Sequence, residues 1–215
     1  MGINIPFDRQ QNKIAFDFIK KLIFNGKKRK LLDVGSADNL LKPHLPQNVR
    51  YYSLDINNLE AEHDFIIDLD KKKIPVKNGF FDIILCLDIL EHTMYPEKIL
   101  KELNRVTKQN AVFVISLPNE YNFLQRLYYL FAIKKQTEIP WRVVEEHQHI
   151  QKPRIKDIMG LLSKEFKILG VKFHWESRSS SSSMIFAGVD KCINVLAKIY
   201  PNLFARDVVV MCVKK

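Results

Sequence analysis

The feature that most constrains the fold is a series of short apolar runs, several of which close on an acid. Leu31–Leu32 leads into Asp33-Val34-Gly35, Tyr51–Ile56 holds Asp55 near its end, and Phe65–Ile67 is followed by Asp68. Phe81–Cys86 and Ala111–Leu117 continue the series, and Phe166–Phe173 and Val208–Val213 bring it to seven. Runs this short read as strands. Phe81–Cys86, apolar except for Asp82, reads as buried on both faces. Helical spacing appears in Phe7–Asn25, Leu40–Leu45 and Pro96–Val106, and again in Tyr121–Ile133, Pro153–Ser163 and Ile185–Ile199. Strands alternating with helices predict βαβ units, hence an α/β, doubly wound, mostly parallel sheet.

A length of 215 residues predicts one domain, and 47% hydrophobic with 27% charged residues excludes wholesale disorder. The net charge of +10 is unevenly placed. Residues 1–120 carry 18 basic and 16 acidic groups, whereas residues 121–215 carry 16 and 8, so the excess sits in the second half. Three cysteines, Cys86, Cys192 and Cys212, are too few and too scattered for a disulfide framework or a cysteine zinc site, and no metal is expected. No signal peptide, myristoylation pattern or membrane-spanning run is read, so the expected location is cytoplasmic, with the inner membrane surface open as a place of contact.

In an open α/β sheet, ligands bind beyond the carboxyl ends of the strands, near the point where strand order reverses. Gly35 lets backbone approach a ligand closely, and the N-terminus of the helix expected after it offers free N–H groups. Asp55, 20 residues further on, can accept two hydrogen bonds from a ribose diol. Asp68 ends the next run, where an adenine amino group could be met.

These residues resemble a class I S-adenosylmethionine-dependent methyltransferase of the broad type 11, small-molecule kind. The resemblance rests on Leu31-Leu-Asp-Val-Gly-Ser-Ala-Asp38, on Tyr52-Ser-Leu-Asp55, and on Ile67-Asp-Leu-Asp70 leading to Ile74-Pro75. It continues through Phe80-Phe-Asp-Ile-Ile-Leu-Cys-Leu-Asp-Ile-Leu-Glu-His92, Pro96–Val106 and Val114-Ile-Ser-Leu-Pro-Asn119, covering roughly residues 28–120. It implies a Rossmann-like sheet of seven strands with an α-helical lid in the second half. Residues 1–27 would be an N-terminal helix, 28–120 a cofactor-binding core, and 121–215 lid helices with the last two strands.

The implied cofactor is S-adenosylmethionine, giving S-adenosylhomocysteine as product. Asp33, Gly35, Ser36 and Ala37 would face its methionine end, and Asp55 and Ile56 its ribose. Asp68 would reach the adenine amino group and Leu69 its ring, with Asp70 a competing candidate. Leu87 and the turn to His92 would line the sulfonium side. The family's glycine-rich turn commonly reads G-x-G-x-G, whereas here it is Gly35-Ser-Ala37-Asp-Asn39; Asn39 tolerates left-handed backbone, and Ala37 adds a methyl group.

Transfer from a sulfonium is an in-line displacement, so alignment supplies most of the catalysis, and a hydroxyl acceptor also needs a base within about 3 Å. His147 is the first candidate, with His92, Glu120 and His149 as others and Asn119 as a positioning group. The turn after the fourth strand, Cys86-Leu-Asp-Ile, has neither the Pro-Pro-aromatic pattern of amino-methylating DNA enzymes nor a Pro-Cys nucleophile, which excludes duplex DNA. The basic groups of the second half are dispersed and no RNA-binding motif accompanies them, so RNA methylation is an alternative rather than the first reading. A lid over an anionic acceptor, a small molecule or a lipid-linked glycan, fits the charge. Tyr200–Arg206 followed by Val208–Val213 resembles the tails of methyltransferases associated with cell-surface polysaccharide synthesis. A second alternative is a methyltransferase-like binding or regulatory module.

Overall fold

A computed structural model describes residues 10–131, 149–175 and 184–215. Seven strands form one sheet: β1 (Arg29–Val34), β2 (Val49–Asp55), β3 (Phe65–Ile66), β4 (Phe81–Leu87), β5 (Thr107–Pro118), β6 (Phe166–His174) and β7 (Asp207–Lys214). Their order is β3-β2-β1-β4-β5-β7-β6, with β7 antiparallel to both of its neighbours and the remaining pairs parallel. Order reverses between β1 and β4, so a crevice opens beyond the carboxyl ends of those two strands.

Paired apolar residues build the two layers, because successive strand residues point to opposite faces. Leu32, Ile84, Phe113 and Val208 pack on one side with α2 (Pro96–Val106), α4 (Ile155–Glu165) and α6 (Pro201–Phe204). Their chain neighbours Leu31, Ile83, Val114 and Val209 pack on the other with α1 (Gln10–Ile23). The N-terminus of α2 is held from a distance: the Asp70 carboxylate accepts the Met94 and Tyr95 N–H groups at 2.8 and 3.1 Å.

One expected helix is corrected. Leu40–Leu45 forms only a 3₁₀ turn at Lys42–His44, because Pro43 inside it and Pro46 just beyond remove backbone donors that a longer helix needs. The helix expected at Tyr121–Ile133 is α3 (Phe123–Leu130), whose N-cap Asn122 accepts the Gln125 N–H; none of its residues is buried. That at Ile185–Ile199 is α5 (Met184–Ile199).

The antiparallel insertion decides where side chains meet. Leu87 of β4 lies beside Ser116 of β5, and Pro118 of β5 and His174 of β6 both lie beside Asp207 of β7. The chain after β4, the chain after β5, the end of β6 and the start of β7 therefore converge at one edge.

Candidate active site

The turn after β1 folds back on itself with Gly35, Ala37 and Asn39 at φ of +69°, +44° and +56°. Gly35 is required twice over. Its φ is left-handed, and a β-carbon there would lie 1.8 Å from the Ile89 Cδ1. Asn39 is tied down by its side chain, which donates to the Glu62 carbonyl at 3.1 Å and accepts from the Tyr51 hydroxyl at 3.1 Å. Ala37 bears its strained angle with its N–H donating to Asp55 Oδ2 at 3.0 Å, while Asp55 Oδ1 accepts the Ile56 N–H at 2.7 Å. Two of the roughly four acceptor positions of Asp55 are thus occupied and the rest remain for a ligand.

A cleft of about 270 Å³ opens over this turn, lined among others by Asp33, Gly35, Ser36, Ala37 and Leu87. Among the described residues its charged lining residues are Asp33, Asp38, Glu60 and Asp88, with no Lys or Arg. Such a lining favours a cation. Burial pushes the Asp33 carboxyl up to about 7; the donating Tyr51 hydroxyl, 2.9 Å away, opposes the rise, and Asp38 and Asp55 add to it. Ser36 contacts His63 Nδ1 through its hydroxyl at 3.0 Å. Asp88, with φ +55°, takes the Ser116 hydroxyl at 2.5 Å on one oxygen and the Gln11 amide of α1 on the other.

Asp55 and Ile56, expected at the ribose, Asp68 and Leu69, expected at the adenine, and His92 lie outside the lining of this cleft. Asp68 pairs with Lys71 at 2.8 Å and accepts the Asp70 N–H at 3.0 Å, and Leu69 packs against the core. Asp70, the competing candidate, is committed to the entry of α2.

The second end of the site lies where the chain leaves β4 and β5. Asn119, expected to position the acceptor, is spent on backbone: its amide donates to the Ala205 carbonyl at 2.9 Å and its oxygen accepts the Tyr121 N–H. It fastens α6 to the end of β5. Glu120 Oε1 stands 2.5 Å from His149 Nδ1, and the His149 and His92 rings meet edge to face at 4.8 Å. His147 lies outside the described residues. Glu91 is fully buried beside them, its carboxyl held well above the usual range by burial and by Asp88. Burial also moves Asp207 up to about 7 and His174 down to about 4.

A sheet reversing between β1 and β4, with an acid-lined cleft at the reversal, is the setting in which comparison with known proteins becomes informative. The sequence profile of a methyltransferase domain matches residues 7–165. The chain belongs to the methyltransferase domain family.

A curated relative of this methyltransferase is the ubiquinone biosynthesis O-methyltransferase of Acinetobacter baylyi, 25% identical over 119 residues. That alignment takes in 49% of this chain and 48% of the relative, so the chain spans about half the length of the curated protein it matches. A SAM-dependent methyltransferase from Archaeoglobus fulgidus superposes with a TM-score of 0.56 at 16% identity, covering 94% of each chain. The magnesium protoporphyrin IX methyltransferase ChlM of Synechocystis, solved with S-adenosylhomocysteine bound, gives 0.56 at 15% identity over 95% of this chain and 84% of its own. Likeness at these identities carries the fold, and the mostly parallel sheet of seven strands is the one the resemblance implied.

Glu60 and Asp88 in the cleft, and Tyr51 behind Asp33, are not among the site residues expected from the sequence. Asp88 follows β4 directly, and the same attention to strand ends that singled out Asp33 and Asp55 finds it. Glu60 and Tyr51 carry no such signal, since a loop and the pairing of β1 with β2 bring them in.

Proposed function

We propose that this methyltransferase acts on a small or lipid-linked acceptor bearing an anionic group, at oxygen or nitrogen, with residues 28–120 holding the cofactor and residues 121–215 receiving the acceptor. The observation that carries the acceptor class is a basin of about 440 Å³ lined by Tyr121, Arg126, Lys152, Arg154 and Asp157. Among the described residues three cations and one acid line it, and since Asp157 pairs with Arg154 at 2.8 Å, Arg126 and Lys152 carry the excess, the reverse of the balance in the cleft beneath the turn. Arg and Lys beside an aromatic ring suit a phosphate or carboxylate joined to a sugar-like body. Next to the basin, Leu130 and Phe131 of the α3 end are 74% and 66% exposed. Apolar surface beside cations is the pattern met at anionic lipid surfaces, which supports the lipid-linked variant and peripheral contact with a membrane.

S-adenosylmethionine supplies a methyl group on a positively charged sulfur that departs as a neutral thioether. The cleft fits that group: among the described residues it offers four acids and no Lys or Arg, over a turn where Gly35 keeps side-chain volume out of the way. Asp33, once ionised, pairs with the amino group, and the free acceptor positions of Asp55 suit ribose hydroxyls. Ile89 closes over Gly35 and excludes water from that side. Across the site, Glu120 orients the His149 ring, and His92 packs against it.

Incubation with methyl-labelled S-adenosylmethionine and fractionated cell extract tests the proposal. Label is expected in an acidic fraction retained on anion exchange, or in extracted lipid. Arg126→Ala with Lys152→Ala should lower that transfer by about 10–100-fold, as expected for lost charged hydrogen bonds, while S-adenosylhomocysteine binds as before. Label confined to neutral or basic acceptors, or transfer untouched by the two substitutions, overturns the acceptor class. Failure to bind S-adenosylhomocysteine overturns the enzyme itself.

A further inference from the structure

Glu91 is 0% exposed, and beyond its own backbone N–H no described residue hydrogen-bonds to its carboxyl oxygens. A buried ionised carboxylate without a partner is among the costliest groups a fold can hold. Protonation does not remove the difficulty, because the acid then brings a hydroxyl donor that also needs an acceptor. The groups around it deepen the problem: Asp88, Asp207 and Glu120 all add negative potential at Glu91. Among the described residues, no cationic group offsets that potential at Glu91.

Two imidazoles stand where a cation would be bound. His92 follows Glu91 in the 3₁₀ turn Leu90–His92, and His149 approaches from a distant part of the chain. One ligand atom from each of Glu91, His92 and His149 lies within 4.8 Å of the others. The two segments are fastened together beside the cluster. The Gln151 N–H donates to the Glu91 carbonyl at 2.9 Å, and the Gln151 side chain donates to the Thr93 carbonyl at 3.1 Å. The ligand set is therefore mounted on a braced frame. Glu120 against His149 Nδ1 reproduces the carboxylate–imidazole contact that orients histidines on metals, fixing one ring nitrogen and leaving the other.

We propose that Glu91, His92 and His149 form a binding site for a divalent transition-metal ion. Two imidazoles and one carboxylate suit zinc and its first-row neighbours, whereas magnesium and calcium prefer all-oxygen shells. Three protein ligands leave a coordination position open, and the side chain of His149 is 37% exposed, so that position is reachable from outside. Metal–ligand bonds of about 2.0 Å bring tetrahedral ligand atoms to roughly 3.3 Å from one another, so side-chain rotation must close the cluster by about 1.5 Å. The cysteine count that argued against a metal does not bear on this set, whose two histidines are 57 residues apart in sequence. The inference is independent of the acceptor class.

Tag-free protein, stripped with a chelator, is titrated with Zn²⁺ by calorimetry and with Co²⁺ by visible absorption. One ion per chain is expected, with the ligand-field bands of four- or five-coordinate cobalt. Glu91→Gln and His149→Asn should each weaken binding by more than about tenfold, the lower end of what loss of an outer-shell partner alone causes. His44→Asn, remote from the cluster, should leave it unchanged. Absence of stoichiometric binding, or variants that bind as well as the wild type, overturns the site. Should Glu91→Gln fail to fold, X-ray absorption of the wild-type cobalt protein decides: two imidazoles with oxygen support the site, and sulfur or a lone imidazole refutes it. Because S-adenosylhomocysteine affinity is measured on the same samples, its loss with metal binding intact counts against the methyltransferase reading alone.

Discussion

Around the turn after β1, the carboxylates are answered: Asp33 by the Tyr51 hydroxyl, Asp55 by the Ala37 and Ile56 N–H groups. Beyond β4, the Glu91 carboxyl has no hydrogen bond except from its own backbone, and at the junction of β6 with β7 neither ring nitrogen of His174 has a hydrogen-bond partner among the described residues, Nε2 lying 3.9 Å from an Asp207 oxygen. The first region is finished by its own chain, and its polar groups are set before any ligand arrives. The second carries buried polar atoms whose needs the fold leaves unmet. A protein that must hold one constant cofactor and one particular acceptor is expected to divide its polar chemistry in this way, and the division can be attacked by substitution.

The largest effect should come from the finished region. Gly35→Ala combines a left-handed φ, costing about 1–2 kcal/mol, with overpacking against Ile89, costing about 1–3 kcal/mol. Destabilisation of about 2–5 kcal/mol is expected in urea titration, with S-adenosylhomocysteine binding lost. Adding Ile89→Ala should restore only the steric share; full restoration would mean the backbone angle is not strained.

Asp33→Asn comes next. Because its carboxyl titrates near 7, Asp33 should be ionised, and able to pair with a cationic amino group, only as pH rises through that value. Affinity for S-adenosylhomocysteine should therefore increase from pH 6 to pH 8, and Asp33→Asn should flatten the profile and cost about 10–100-fold at pH 8. The stability of the unliganded protein runs the other way. A raised carboxyl keeps its proton in the folded state while the unfolded chain has lost it, so stability falls between about pH 4 and pH 7. A steep affinity profile retained in the variant would remove Asp33 from the amino-group site.

The smallest effect should come from the unfinished region. His174→Leu exchanges an unpartnered buried imidazole for an apolar group, so stability at pH 7.5 should stay within about 1 kcal/mol of the wild type or rise. With a folded pKa near 4 against an ordinary 6.5, His174 contributes stability above pH 6.5 that is lost as pH falls towards 4. The variant should accordingly lose less between pH 7.5 and pH 5. A drop of more than 2 kcal/mol at neutral pH would place His174 with the answered groups.

Much of the fold was legible because strand ends announce themselves. Apolar runs closing at Asp33, Asp55 and Cys86 located β1, β2 and β4, and the helix expected at Pro96–Val106 is α2. The Leu40–Leu45 segment misled because helical spacing was read without weighing Pro43 and Pro46. In the site, the Gly35 turn could be read locally, since its geometry is decided within a few residues. Asn119 could not: adjacent to a site by sequence, it answers to α6, which reaches it only through the antiparallel return of β7. Glu91 shows the same limit from the other side. A glutamate in a recognised motif looks ordinary until burial and the approach of His149 show what it lacks.

The position of β7 also has a bearing on how the protein is made. Among the described strands, β6 pairs only with β7, yet β7 is the later of the two to leave the ribosome. The parallel strands can assemble during synthesis, whereas β6 has to wait, with one edge and its apolar face uncovered, for residues 207–214 to thread in beside β5. Pairing of β6 then comes after the parallel strands have formed, and a chaperone or a stalled ribosome would meet this protein with β1, β2, β4 and β5 already built.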